Sequence, residues 1–221
     1  MSDKKNLICA CSDAGLLPKS ALAALCAAFK AEETMLCPDL CSMAVNSPEK
    51  LREFCSGSVR VFACHKRAAS AILRRAGAEA NFEFFDLRGE ATDVLGTFGI
   101  AAGESEGFEL PEFDNGGWPA WYPAIDYSRC VSCGKCVDFC LFKVYAKDVC
   151  GVRVENPKSC KDGCPACARI CPRQAIVFAK CEDDLISGGS GAKGDSSEED
   201  YYAALKSRRL AAKSVLKKPK S

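Results

Sequence analysis

Cysteines are the residues in this chain with chemistry to do, and their spacing is uneven. The run "CVSCGKCVDFC" holds Cys130, Cys133, Cys136 and Cys140 in eleven residues, with gaps of two, two and three. The run "CKDGCPACARICP" holds Cys160, Cys164, Cys167 and Cys171, with gaps of three, two and three, and then Pro172. Nineteen residues separate the two runs. Thiolates are soft ligands, and close spacing lets successive sulfurs turn onto one centre. Zinc accepts four sulfurs, but its usual sites pair one short knuckle with another some distance away. Three close cysteines with one outlier, twice over, suit iron–sulfur centres.

The totals narrow the setting. Seventeen of 221 residues are cysteine, a density that in a short secreted chain would signal a disulfide scaffold. The N-terminal "MSDKKNLICACSD" has no apolar run long enough for a signal peptide, and "ALAALCAAF" is too short to span a bilayer. The expectation is therefore a cytoplasmic chain whose reduced thiols serve metal or redox work. A net charge of +1 offers no nucleic-acid or membrane footprint.

The two runs resemble the two-cluster ferredoxin family, over about residues 122–181. That resemblance implies a small α+β unit in which the fourth cysteine of each run serves the other cluster. One [4Fe–4S] cluster would sit on Cys130, Cys133, Cys136 and Cys171. The other would sit on Cys160, Cys164, Cys167 and Cys140. The alternatives are structural thiols or two zinc sites. Two departures bear on cluster surroundings rather than on ligands. Leu141 stands where the family has proline, and the gap from Cys160 to Cys164 is one residue longer than usual. "AIDY" and "AIVF" read as short strands that pair at the ends of the unit, and "FKVYAKDVCGVRVENP" as two strands about a turn near Gly151. Asp126 and Tyr127 read as fold and turn residues, and Cys150 and Cys181 as bystanders. From Ala124 to Cys181 there are ten Lys or Arg against five Asp or Glu, an excess that reads as compensation for cluster charge.

Ahead of this unit, over residues 1–100, strand-like and helix-like segments alternate. "NLICAC", "TMLC", "VRVFAC" and "NFEFFDL" read as strands. "KSALAALCAAFKAEE", "SPEKLREFC" and "KRAASAILRRAG" read as helices, the second capped by Ser47 with Pro48 at its first position, the third closed by Gly77. This predicts an α/β layer with a parallel, Rossmann-like sheet. Cys9 and Cys11, Cys37 and Cys41, and Cys64 then fall at strand ends, on the edge where parallel sheets bind ligands. Cys26 and Cys55 read as small core residues. The segments "CACSDAG", "LCSM" and "FACHKRAASAILRRAG" resemble the N-terminal segment of the large flavin subunit of heterodisulfide reductases. That likeness implies a third [4Fe–4S] cluster on Cys9, Cys11, Cys41 and Cys64, with Cys37 able to replace Cys41. The alternative is that these are packing residues or loose thiols. No flavin or NAD is expected. The one GxGxxG match, Gly189, Gly191 and Gly194, lies in a polar stretch without a preceding strand. His65 reads as a surface or helix-start residue, and Arg67 as a stabiliser of an anionic rim cluster or a solvated charge.

Residues 101–121 read as a linker; "WPAWYP" (118–123) bridges it to the next unit, and its aromatics cover a cluster or an interface, or else form a partner-docking patch. Residues 182–200 form an acidic Gly/Ser stretch, and residues 201–221 a basic helical tail, either solvated or docking a partner. The chain is expected to carry single electrons between redox partner proteins, with no nucleic acid and no membrane insertion. Two other readings stay open. One is an enzyme using the N-terminal thiols for disulfide or sulfur chemistry; the other is a cluster-based sensor or assembly scaffold.

Overall fold

The computed structural model describes residues 4–101, 109, 114 and 116–189. The acidic stretch beyond Gly189 and the basic tail lie outside the described residues, as do Gly191 and Gly194.

Four short apolar strands run side by side: β1 (Lys4–Cys9), β2 (Thr34–Cys37), β3 (Ser58–Ala63) and β4 (Asn81–Asp86). All pairs are parallel, in the order β2-β1-β3-β4. The helices are α1 (Lys19–Ala28), α2 (Leu40–Asn46), α3 (Pro48–Phe54), α4 (Lys66–Ala76) and α5 (Ala91–Thr97). The chain leaves β1 toward one edge and β3 toward the other. Right-handed crossovers in opposite directions put α1 and α4 on opposite faces. Accordingly α1 packs with α5, while α2, α3 and α4 pack together. The sheet is covered on both sides, which is why Leu7, Ile8, Val61 and Phe62 are all fully buried.

Local signals explain the boundaries. Gly77 closes α4 in the left-handed conformation, φ 73°, where a side chain would be strained. Pro48 opens α3 as its first residue, but the Ser47 side chain makes no capping bond. Sequence periodicity did not reveal α2, whose seven residues are too few for it. Its start is nonetheless marked: Asp39 Oδ1 accepts from the Ser42 N–H at 2.8 Å.

The second half is smaller. Strand β5 (Ala124–Ile125) pairs antiparallel with β8 (Ile176–Val177), and β6 (Tyr145–Asp148) with β7 (Gly151–Val154). Two short helices, α6 (Lys135–Phe139) and α7 (Ala166–Ile170), each follow the first cysteines of a run, and α8 (Asp184–Ser187) closes the described chain. Its ends are not independent of the first half. Tyr122, Ala124, Val177 and Ala179 pack into the core of the large sheet. The remaining core is thin and built around Ile125, Val144, Val152, Ile176 and Phe178, with cysteines along its edge. Among the described residues no helix is long and apolar enough to cross a membrane.

Phe62 anchors the large core against Phe29, Phe85 and Phe98, with ring centroids 4.9 to 5.5 Å away. Phe62→Ala is expected to destabilise this half by about 3–5 kcal/mol, read as a shift in the denaturant midpoint by circular dichroism.

Candidate functional site

Three groups of thiols are assembled by these elements. Cys130, Cys133, Cys136 and Cys171 line one recess, with Ile125, Val131 and Ile176 around them. Cys140, Cys160, Cys164 and Cys167 line another, with Phe139, Leu141, Phe142 and Tyr145. The first is narrow, about 20 Å³, and the second opens to about 480 Å³. The grouping crosses the sequence runs. Each set takes three cysteines from one run and one from the other.

The crossing has a local cause. Ser132 and Gly134 have positive φ, 52° and 85°, so the chain after Cys130 curls tightly before α6 begins. One turn of α6 separates Cys136 from Cys140, whose N–H still donates to the Cys136 carbonyl at 3.2 Å. Cys140 then adopts an extended backbone, φ −79° and ψ 107°, and departs toward the second recess. The second run repeats the exit: Cys171 ends α7 in an extended conformation, φ −71° and ψ 114°.

Hydrogen bonds hold individual sulfurs. The Tyr145 hydroxyl donates to Cys167 Sγ at 3.0 Å, and the Ala175 N–H donates to Cys171 Sγ at 3.3 Å. Burial pushes Cys136 up to about 12, with Cys171 adding to it. Burial and Cys167 do the same to Cys160, again to about 12. Cys167 rises to about 11 through burial, although the Tyr145 hydroxyl pulls the other way. Gathered thiols of this kind do not ionise without a positive centre, and a coordinating metal supplies one. Among the described residues no three Cys, His, Asp or Glu side chains come close enough together to hold a single metal ion. Four soft thiols gathered in each recess are a donor set of the kind iron–sulfur clusters take.

The third group sits on the C-terminal rim of the parallel sheet. Cys9 and Cys37 are register partners at the ends of β1 and β2. Cys11 follows in a left-handed conformation, φ 51°, which costs a non-glycine residue about 1–2 kcal/mol. Cys41 is the second residue of α2, and Cys64 directly follows β3. The Cys37 thiol, whose Sγ donates to Met43 Sδ at 3.8 Å, neighbours Cys9 and lowers its pKa despite burial. Cys37 is raised in turn by the neighbouring Cys9 and by its own burial. Burial, then Cys9 and Asp39, push Cys11 up to about 12. Burial likewise raises Cys41 and Cys64, each of which feels other rim thiols.

A strap from the second half covers this rim. Tyr122 donates from its hydroxyl to the Cys41 carbonyl at 2.8 Å. Trp121 stacks on Phe178, 5.3 Å between centroids, and its Nε1 donates to the Cys164 carbonyl at 3.4 Å. Lys180 is only 7% exposed and meets Asp13 at 2.7 Å and Asp39 at 2.9 Å. Arg88 donates to the carbonyls of Ala179 and Cys181 at 3.0 and 2.8 Å.

Other residues singled out in the sequence fall as follows. His65 starts α4, but it is buried, and its Nδ1 lies 2.7 Å from Asp86. Cys55 is buried, Cys26 half-buried, Cys150 exposed and Cys181 buried. Arg67 turns away from the rim and reaches Asp126. Lys180 and Asp39 escaped sequence reasoning; the only signal was a lysine beside Cys181 and an aspartate between Cys37 and Cys41.

No protein-family model matches the chain. The chain is similar to an uncharacterized ferredoxin of Methanocaldococcus jannaschii, 45% identical over 60 residues. The match covers 27% of this chain and 41% of that protein, so the chain spans well under half the length of its curated relative. It supports a ferredoxin-like domain here.

The Lys180 contact should be costly to break. Lys180→Met leaves Asp39, 1% exposed, without its cation. A loss of about 3–5 kcal/mol is expected in denaturant unfolding. The double variant Lys180→Met, Asp39→Asn should recover much of it, and simple additivity would refute the coupling.

Proposed function

We propose that this chain is an iron–sulfur electron carrier that passes single electrons between redox partner proteins. Cys130, Cys133, Cys136 and Cys171 would hold one [4Fe–4S] cluster, and Cys140, Cys160, Cys164 and Cys167 a second. A third would sit on the rim, on Cys9, Cys11, Cys41 and Cys64, with Cys37 as the alternate ligand. The carrying observation is the crossed grouping: two recesses, each lined by three cysteines of one run and the last of the other. Bound clusters would supply one-electron chemistry at potentials set by their surroundings.

The protein's part is burial, hydrogen bonding and charge. Tyr145 and Ala175 donate to ligand sulfurs, which favours their thiolate form. The Trp121–Tyr122 strap excludes water between the rim and the second recess. In this reading residues 122–181 form the ferredoxin unit and residues 101–121 its linker. The acidic stretch 182–200 is a spacer, residues 201–221 offer a basic docking segment, and the setting is the cytoplasm.

One observation favours a second reading, in which the rim thiols carry out disulfide chemistry. Cys9 is lowered by its Cys37 partner, as a reactive dithiol would be. Against it, both are buried to 5% or less, out of reach of a bulky substrate.

Iron and acid-labile sulfide per chain, on anaerobically purified protein, separate these readings. About twelve of each is the expected result, three four-iron clusters. About eight of each confines the clusters to the second half and leaves the rim to thiol chemistry. Well under eight refutes the relay. Cys133→Ser should in addition remove one set of reduced-state EPR signals and leave the other.

A further inference from the structure

Arg67 ties the first half of the molecule to the first thiol recess. It is the second residue of α4, yet both its bonds reach the other half. Its Nε donates to Asp126 Oδ2 at 2.8 Å, and its Nη2 donates to the Gln174 carbonyl. Each group it grips is one hydrogen bond from a cysteine of that recess. The Cys130 N–H donates to the Asp126 carbonyl at 3.0 Å, and the Gln174 N–H to the Cys171 carbonyl at 3.1 Å. Cys171 itself lies close enough to act electrostatically on the guanidinium.

The third nitrogen is the telling one. Arg67 Nη1 is buried and has no hydrogen-bond partner. Buried guanidinium donors are ordinarily satisfied, so an orphan on a side chain that feels Cys171 leaves room for an acceptor. An anionic centre on the four thiols would be that acceptor. The charges around the recess are mostly positive: Lys135 and Arg173 line it, and a trio on Asp126 flanks it. Arg67 and Arg129 are positive, and Asp126, within 2.8 Å of one and 3.5 Å of the other, is negative. The trio therefore carries a net charge of +1 next to the recess.

We propose that Arg67 raises the reduction potential of the centre held by Cys130, Cys133, Cys136 and Cys171, coupling that potential to the packing of the two halves. The proposal rests on the relay reading. Reduction adds one electron, delivered by a redox partner protein, and with it one negative charge. A neighbouring cation stabilises that added charge and a neighbouring anion opposes it. Arg67 and Asp126 thus act in opposite senses on one centre.

The opposition supplies the test. Potentiometric EPR titrations would compare the wild type with Arg67→Met, Arg67→Lys and Asp126→Asn, each first shown to hold wild-type iron. The relevant signal is the one lost in Cys133→Ser. Arg67→Met should lower its potential by at least the equivalent of a tenfold change in the reduction equilibrium, about 59 mV for one electron. Arg67→Lys should restore most of that, and Asp126→Asn should raise the potential. An unchanged potential in Arg67→Met overturns the proposal. So does a shift of the same sign in Arg67→Met and Asp126→Asn, since loosened packing rather than charge would then be acting. If Arg67→Met fails to hold iron, the sign in Asp126→Asn decides. A wild type without iron, or a Cys133→Ser variant that loses no signal, instead refutes the relay reading itself.

Discussion

The arrangement of the two halves hangs on one buried cation. Lys180 belongs to the second half, but its Nζ is shared by three partners: Asp13 in the loop after β1, Asp39 at the cap of α2, and the Pro119 carbonyl in the strap. A buried ion pair is a poor source of net stability, because desolvation consumes most of the attraction. What it fixes is geometry. An ammonium group in an apolar seam has few places to go, and Asp39 tolerates no alternative once buried. Lys180 thereby sets where Phe178–Cys181 lies over the sheet edge. It also holds the incoming strap, so that Tyr122 and Trp121 reach Cys41 and Cys164 from adjacent positions.

The second half would struggle to stand without its thiols occupied. It has only short strands and a thin apolar core, and cysteines take the places where leucines would otherwise pack. The pKa shifts say the same thing in electrostatic terms. Burial raises Cys136, Cys160 and Cys167 because a thiolate there has no counter-charge of its own. A bound metal centre would reverse that penalty and so link folding to ligation. The first half shows the contrast. Its sheet is covered on both faces and packs through phenylalanines, with the rim thiols added at one edge.

Much of this was legible in the sequence because it is local. The two cysteine runs, the alternation of strands and helices, and Gly77 as a helix terminator all rest on neighbouring residues. Strand ends then predicted which cysteines share the rim, since parallel pairing forces Cys9 beside Cys37. What failed was direction across distance. Lys180 and Asp13 are 167 positions apart, and no pattern links them. Arg67 reads from the sequence as a stabiliser of a rim cluster or as a solvated charge, because it stands near Cys64. Between them the chain begins α4, and the helix turns Arg67 toward the other half. His65 misled in the same way: its position at a helix start was visible, but its burial against Asp86 depends on β4 lying alongside β3.

The contacts at the seam differ in kind, and that difference has a consequence for the relay reading. Around the first recess the described neighbours are mostly cations: Lys135 and Arg173 line it, and Arg67 and Arg129 flank it with Asp126 between them. Around the second they are an aromatic strap, the apolar side chains of Phe139, Leu141 and Phe142, and an acidic neighbour, Asp162, acting on Cys160. A net positive surrounding stabilises a reduced centre, whereas an apolar one with a nearby acid destabilises it. On the relay reading, two centres with the same kind of ligands would be pushed apart in potential by what encloses them. The second recess lies beside the strap that leads to the rim, through the Trp121 bond to the Cys164 carbonyl. Such a gradient favours electron flow from the rim side through the second recess to the first, with the exposed face around Leu141, 89% accessible, as a point of entry along the way.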